Sequence, residues 1–112
     1  MTFPELVREL KKAPLDELRK EEDGYFECVV EERHLARLYA SLERYFGVPF
    51  KPPGVAPTAE HSRKSRAYGG IRRQQTLYYV ARGGFDNCAM IWPWNDRSRA
   101  TLKLARGTIA KE

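Results

Sequence analysis

The chain has 112 residues, 42% hydrophobic and 31% charged, which excludes an intrinsically disordered chain and fits one globular domain with its own core. No apolar run approaches the ~20 residues that span a bilayer, and the opening MTFPELVRELKK has no secretory h-region, so an intracellular, cytoplasmic protein with no membrane partner is expected. The net charge of +5 is split: residues 1–50 hold eight Lys/Arg against eleven Asp/Glu (net −3), and residues 51–112 hold twelve against four (net +8).

Thr2-Phe3-Pro4-Glu5 opens a first helix, because Thr2 can accept from the Glu5 N–H and Pro4 suits a first turn. Leu6, Val7 and Leu10 give that helix an apolar face. Pro14 interrupts it and is expected to start a second short helix, with Leu15 and Leu18 inward and Gly24 as its stop. Tyr25 to Val30 is aromatic and β-branched and reads as a strand. A long helix follows over about 31–46, where Leu35, Leu38, Tyr39, Leu42 and Phe46 recur at helical spacing before Gly47.

Residues 48–57 contain Pro49, Pro52, Pro53 and Pro57 and are expected to be an extended connector. Residues 58–73 have few large apolar side chains and read as an exposed basic loop. Residues 74–109 read as a β-meander. Gly83-Gly84 is a two-residue hairpin signal that places Arg82 opposite Phe85, Leu77 opposite Met90 and Tyr79 opposite Cys88. In that register both faces of the hairpin are apolar. Pro93 ends its second strand, Asn95-Asp96 opens a turn, and a last strand runs from Ala100 to Ile109.

The expected architecture is therefore a single α+β domain. Two short N-terminal helices and one long one pack on a C-terminal antiparallel sheet of three to four strands. One sheet face would lie under the helices, leaving the other to meet a partner or a second copy.

Chemistry-bearing motifs are sparse. Cys28 and Cys88 form no C-x-x-C pair and read as reduced, buried thiols. No close-spaced Cys/His pair suggests a metal, no motif implies a cofactor, and no nucleophile, base and orienting group stand as a set. No catalytic residue is assigned, and a binding role is expected rather than an enzymatic one.

The strongest candidate is the basic stretch. Arg63, Lys64, Arg66, Arg72 and Arg73 lie among serines, Tyr68 and the Gly69-Gly70 pair. Guanidinium forks and ammonium groups bind phosphate, and aromatic rings offer stacking surfaces, for which Tyr68 and Trp94 are candidates. The expected partner is nucleic acid or another polyanion. The alternative is a protein-interaction or homodimerisation domain, using the second apolar sheet face or the acidic and basic halves as complements.

Overall fold

A computed structural model describes residues 1–108. The first helix, α1 (Phe3–Lys11), starts as expected. Thr2 Oγ1 accepts the Glu5 N–H at 3.2 Å, Pro4 lies in the first turn, and Phe3, Leu6 and Leu10 are buried.

The expected second short helix is instead an edge strand, β1 (Glu17–Glu22), and every one of its residues is exposed. Leu18, expected to face inward, is 48% exposed. The reason is tertiary. ELRKEE is a good helix former, but one and a half turns of helix bury little. Extended, the same backbone pairs with β2 (Tyr25–Glu31), from Glu17 opposite Val29 to Glu22 opposite Tyr25. The ladder is led in by the Asp16 N–H, which donates to Val29 O at 2.8 Å. Its charged side chains and a bulge between Leu18 and Lys20 also suit an unpaired sheet edge. Gly24, expected to stop a helix, turns the β1–β2 hairpin at φ +78°.

The strand expected at Tyr25 to Val30 is present as β2. The long helix is also present. A 3₁₀ turn, Glu32–His34, leads into α2 (Leu35–Phe46), which buries Leu38, Leu42, Tyr45 and Phe46 before Gly47. The C-terminal meander is β3 (Thr76–Arg82), β4 (Phe85–Pro93) and β5 (Arg99–Thr108). The hairpin register is as expected, with Arg82 opposite Phe85, Leu77 opposite Met90 and Tyr79 opposite Cys88. Ile109, expected to close the last strand, lies outside the described residues.

The sheet has five strands rather than three to four, in the order β1-β2-β5-β4-β3, with every neighbour antiparallel. Two of the strands come from the N-terminal half, because β2 pairs with β5 along its whole length.

Helices α1 and α2 cover one face, where Leu6, Leu10, Leu38 and Leu42 pack on Phe26, Tyr78, Ile91, Leu102 and Leu104. The other face carries Leu77, Cys88, Met90 and Ala105, and it is not open. Ile71 packs on it, flanked by Phe50 and Tyr68. The supposed loop that supplies this cover is largely helical: α3 (Ala59–Ser65) continues into a 3₁₀ turn, Arg66–Tyr68. The helices are therefore not all N-terminal. The second sheet face, expected to be left open, is thus covered at least in part by the chain itself.

Cys28 faces the α1/α2 side and Cys88 the other, so the sheet separates the two thiols. Burial pushes both up to about 12. No helix among the described residues is long and apolar enough to cross a membrane.

Truncating the fully buried Leu104 to Ala should cost about 2–5 kcal/mol in urea unfolding. Leu18→Ala on the exposed edge should stay within about 0.5 kcal/mol. A large loss from Leu18→Ala would mean that the N-terminal segment buries this side chain after all.

Candidate polyanion-binding surface

The second layer is built from residues 48–75, and its local chemistry explains why it is ordered. Thr58 caps α3: its Oγ1 accepts the His61 N–H at 3.2 Å, while His61 Nδ1 accepts the Thr58 N–H at 3.0 Å. This is a capping box with histidine in the usual Glu/Gln place, which hides the helix start from a search for the usual pair. The imidazole then meets the Phe50 ring edge-on, with centroids 4.7 Å apart. Ser65 is buried and returns its hydroxyl to His61 O at 2.9 Å. Polar side chains that looked free in the sequence are thus used to close the helix.

The glycine pair has a structural role too. The Gly69 N–H donates to Arg66 O and the Gly70 N–H to Ser65 O, so both are engaged within the layer. Gly69, at φ +107°, lies against Trp92, and a Cβ there would stand 2.6 Å from the indole Cη2. Glycine therefore lets the chain pass over the tryptophan.

Lys51 ties the layer to the sheet. Its backbone bridges Leu77 in both directions at 3.0 Å. Its side chain is fully buried, and its ammonium donates to Pro52 O (2.9 Å), Arg73 O (2.8 Å) and Gln75 O (2.6 Å). All three N–H donors find carbonyls, which makes a buried ammonium tolerable without a carboxylate. Burial, with Arg73 acting in the same direction, draws its pKa below the ordinary lysine value.

On this frame the proposed contact residues fall into two groups. Arg63 and Arg66 are exposed, one turn apart on the outer side of α3 and its 3₁₀ extension. Arg72 and Arg73 are exposed in the following turn, where Arg73 Nη1 donates to Gly54 O at 3.3 Å. The remaining three face the sheet. Lys64 lies 4.6 Å from the Tyr79 ring centre and 4.0 Å from the Asp86 carboxylate, which also accepts from the Tyr79 hydroxyl. Tyr68 stacks on Tyr25, with centroids 6.4 Å apart. Trp94 donates its Nε1–H to Thr101 Oγ1 at 3.0 Å beneath the Arg99 guanidinium, which pairs with Asp16 at 2.7 Å.

Three further residues belong to this region. Trp92 reaches Gly69 from β4. Lys103 on β5 sits 3.9 Å from the Trp92 ring centre and donates to Tyr68 O at 3.0 Å. Gln75 closes the turn that begins at Arg72. Strand alternation alone places Lys103 on the face of Met90 and Trp92, because it pairs with Met90. Nothing in the sequence around Lys51 signals its burial. A cavity of about 250 Å³ opens between Gly69, Arg72, Gln75 and Trp92. Two other clefts, of about 210 and 290 Å³, both open beside Arg106 at the far end of the sheet.

Several cations outside this surface are paired with acids. Lys11, Arg44, Arg99 and Arg106 each have a carboxylate of the acidic half within 4.0 Å. Among the described residues no carboxylate lies that close to Arg63, Arg66, Arg72, Arg73, Lys51 or Lys103. Much of the acidic half is thus paired within the chain; Arg8, Arg37, Arg82 and Arg97 are also exposed without such a partner, but they are scattered along the chain, whereas the second layer groups four such arginines on one short segment.

Compared with protein-family models, with curated proteins and with solved structures, the chain matches none.

Lys51→Met should lower stability by about 2–5 kcal/mol, since Pro52 O and Gln75 O lose their ammonium donor and Arg73 O keeps only the Gly54 N–H. The loss should appear in urea unfolding together with faster amide exchange in residues 72–77; unchanged exchange there would show that the ammonium does not hold the turn. Gly69→Ala should shift the Trp92 environment. Its near-ultraviolet circular dichroism should change while the far-ultraviolet signal is kept, and an identical near-ultraviolet spectrum would contradict the contact.

Proposed function

We propose that the chain is a non-enzymatic binding module for nucleic acid or another polyanion, working through α3 and the turn that follows it. One observation carries this reading. Arg63, Arg66, Arg72 and Arg73 are exposed and without a carboxylate partner on a single short segment, whereas the other exposed arginines without one, Arg8, Arg37, Arg82 and Arg97, are far apart in sequence. An exposed cation already paired with a carboxylate has little to offer a phosphate, whereas an unpaired guanidinium offers a two-pronged donor. The segment is held by a helix cap and by Lys51, so little ordering is needed on binding.

Lys64, Tyr68 and Trp94 take supporting parts. Lys64 and Tyr68 hold α3 and its extension to the sheet, and Trp94 frames the adjoining strand ends. A cytoplasmic setting agrees with two buried cysteines that face opposite sides of the sheet.

Binding should be electrostatic and therefore salt-dependent. If the four arginines each meet one phosphate of a single strand, log K should fall with log[salt] at a slope of about −3. The Arg72→Glu/Arg73→Glu double substitution should reduce that slope and weaken binding at least tenfold. Oligonucleotide binding equal to wild type in fluorescence anisotropy at low salt would overturn the proposal.

A further inference from the structure

The four arginines suit any polyanion, but the turn at Arg72–Gln75 is more selective. It is closed twice. The Gln75 N–H donates to Arg72 O at 3.0 Å, and the Arg72 N–H donates to Gln75 Oε1 at 2.8 Å. A backbone N–H can only donate, so the second bond fixes which end of the Gln75 amide faces the turn. The amide oxygen is consumed there. The NH₂ end, with two donors, is left without a protein partner among the described residues.

Gln75 and Arg72 both line the cavity of about 250 Å³, together with Gly69 and Trp92. The lining therefore offers side-chain donors and no carboxylate. Two further cations stand close to it. Lys51 holds the turn from beneath through Arg73 O and Gln75 O. Lys103 lies against Trp92 and Tyr68 O. Glu27 is cross-strand from Lys103, but its carboxylate is engaged by the Tyr25 hydroxyl at 2.5 Å and by Arg19 at 3.7 Å. Two ammonium groups with no paired carboxylate leave this place electropositive, and a ligand that only accepts hydrogen bonds would complete it.

Size narrows the class. The cavity falls below the roughly 300–1,000 Å³ usual for a whole small-molecule ligand, so it admits a group rather than a nucleotide. We infer that the Gly69–Arg72–Gln75–Trp92 cavity takes a single phosphate monoester, held by the Arg72 guanidinium and the Gln75 NH₂. A monoester carries about −1.5 to −2 charge and three free oxygens, more than an internal phosphodiester, so it gains most from a lining made of donors. The monoester is either the terminal phosphate of a bound strand, which rests on the polyanion reading above, or a free small phosphate, which does not.

Two measurements separate these cases. Methyl phosphate titrated into ¹⁵N-labelled protein should shift the Gln75 side-chain NH₂ signals saturably, and Arg72→Ala should abolish the shift. Gln75→Glu keeps an acceptor for the Arg72 N–H but places a negative charge in the cavity, so it should fold and lose methyl phosphate binding. No saturable shift in the wild type would overturn the inference. The second measurement compares short single strands bearing a terminal phosphate with hydroxyl-ended copies. About tenfold tighter binding of the phosphorylated strand, lost in Gln75→Glu, identifies the strand end as the ligand. Equal affinity for the two strands, with methyl phosphate still bound, identifies a free small phosphate. Failure of every strand to bind at low salt overturns the polyanion reading alone and leaves the methyl phosphate result to decide the cavity.

Discussion

A buried ammonium holds the second layer of this protein to its sheet. Lys51 joins the proline-rich connector to the turn at Arg72–Gln75, donating to Pro52 O and Gln75 O and sharing Arg73 O with the Gly54 N–H. Without that tie, only a small helix and a few rings would cover the apolar face of Leu77, Cys88 and Met90. The same group that closes the core also fixes the backbone carrying the exposed arginines. Core and candidate surface share one anchor, so the two cannot vary independently.

The sequence was most legible where one local rule dominated. Gly83-Gly84 set the turn, the turn set the register, and the register sorted Tyr78 and Tyr79 onto opposite faces. The long helix showed its apolar stripe and its glycine stop. The misreading of residues 14–23 has a different origin. Nothing inside ELRKEE favours a strand; the strand exists because β2 offers a ladder just past the turn at Asp23-Gly24. Local propensity and tertiary pairing disagreed there, and pairing won. Residues 58–73 were misread because their cap uses histidine and their anchor is a lysine distant in sequence.

The candidate surface was half legible. Arg63, Arg66, Arg72 and Arg73 stood out by density, and they are the four that remain exposed and unpaired. Lys64, Tyr68 and Trp94 shared their neighbourhood and chemical type, yet each has a partner on the sheet. Composition cannot separate the two groups, because the difference lies in which carboxylates and rings the fold brings alongside. Asp86, needed to occupy Lys64, arrives from the hairpin twenty-two residues later. The charge split between the halves has a similar origin. Most of the acids of residues 1–50 meet cations of their own chain, which leaves part of the excess of the basic half, the four arginines of residues 63–73 among it, without an acid beside it.

Strand β5 is the last element described, yet it lies in the middle of the sheet, between β2 and β4. Its pairing joins Tyr25 to Ala105 and Glu31 to Arg99, residues far apart in the sequence. Until it is in place, no strand joins the β1–β2 hairpin to the β3–β4 hairpin. During synthesis on a ribosome, then, the N-terminal helices have no complete surface to rest on until residue 108 has left the exit tunnel. Assembly of the sheet therefore waits for β5, and any chain stopped before Arg99 exposes both unfinished edges at once.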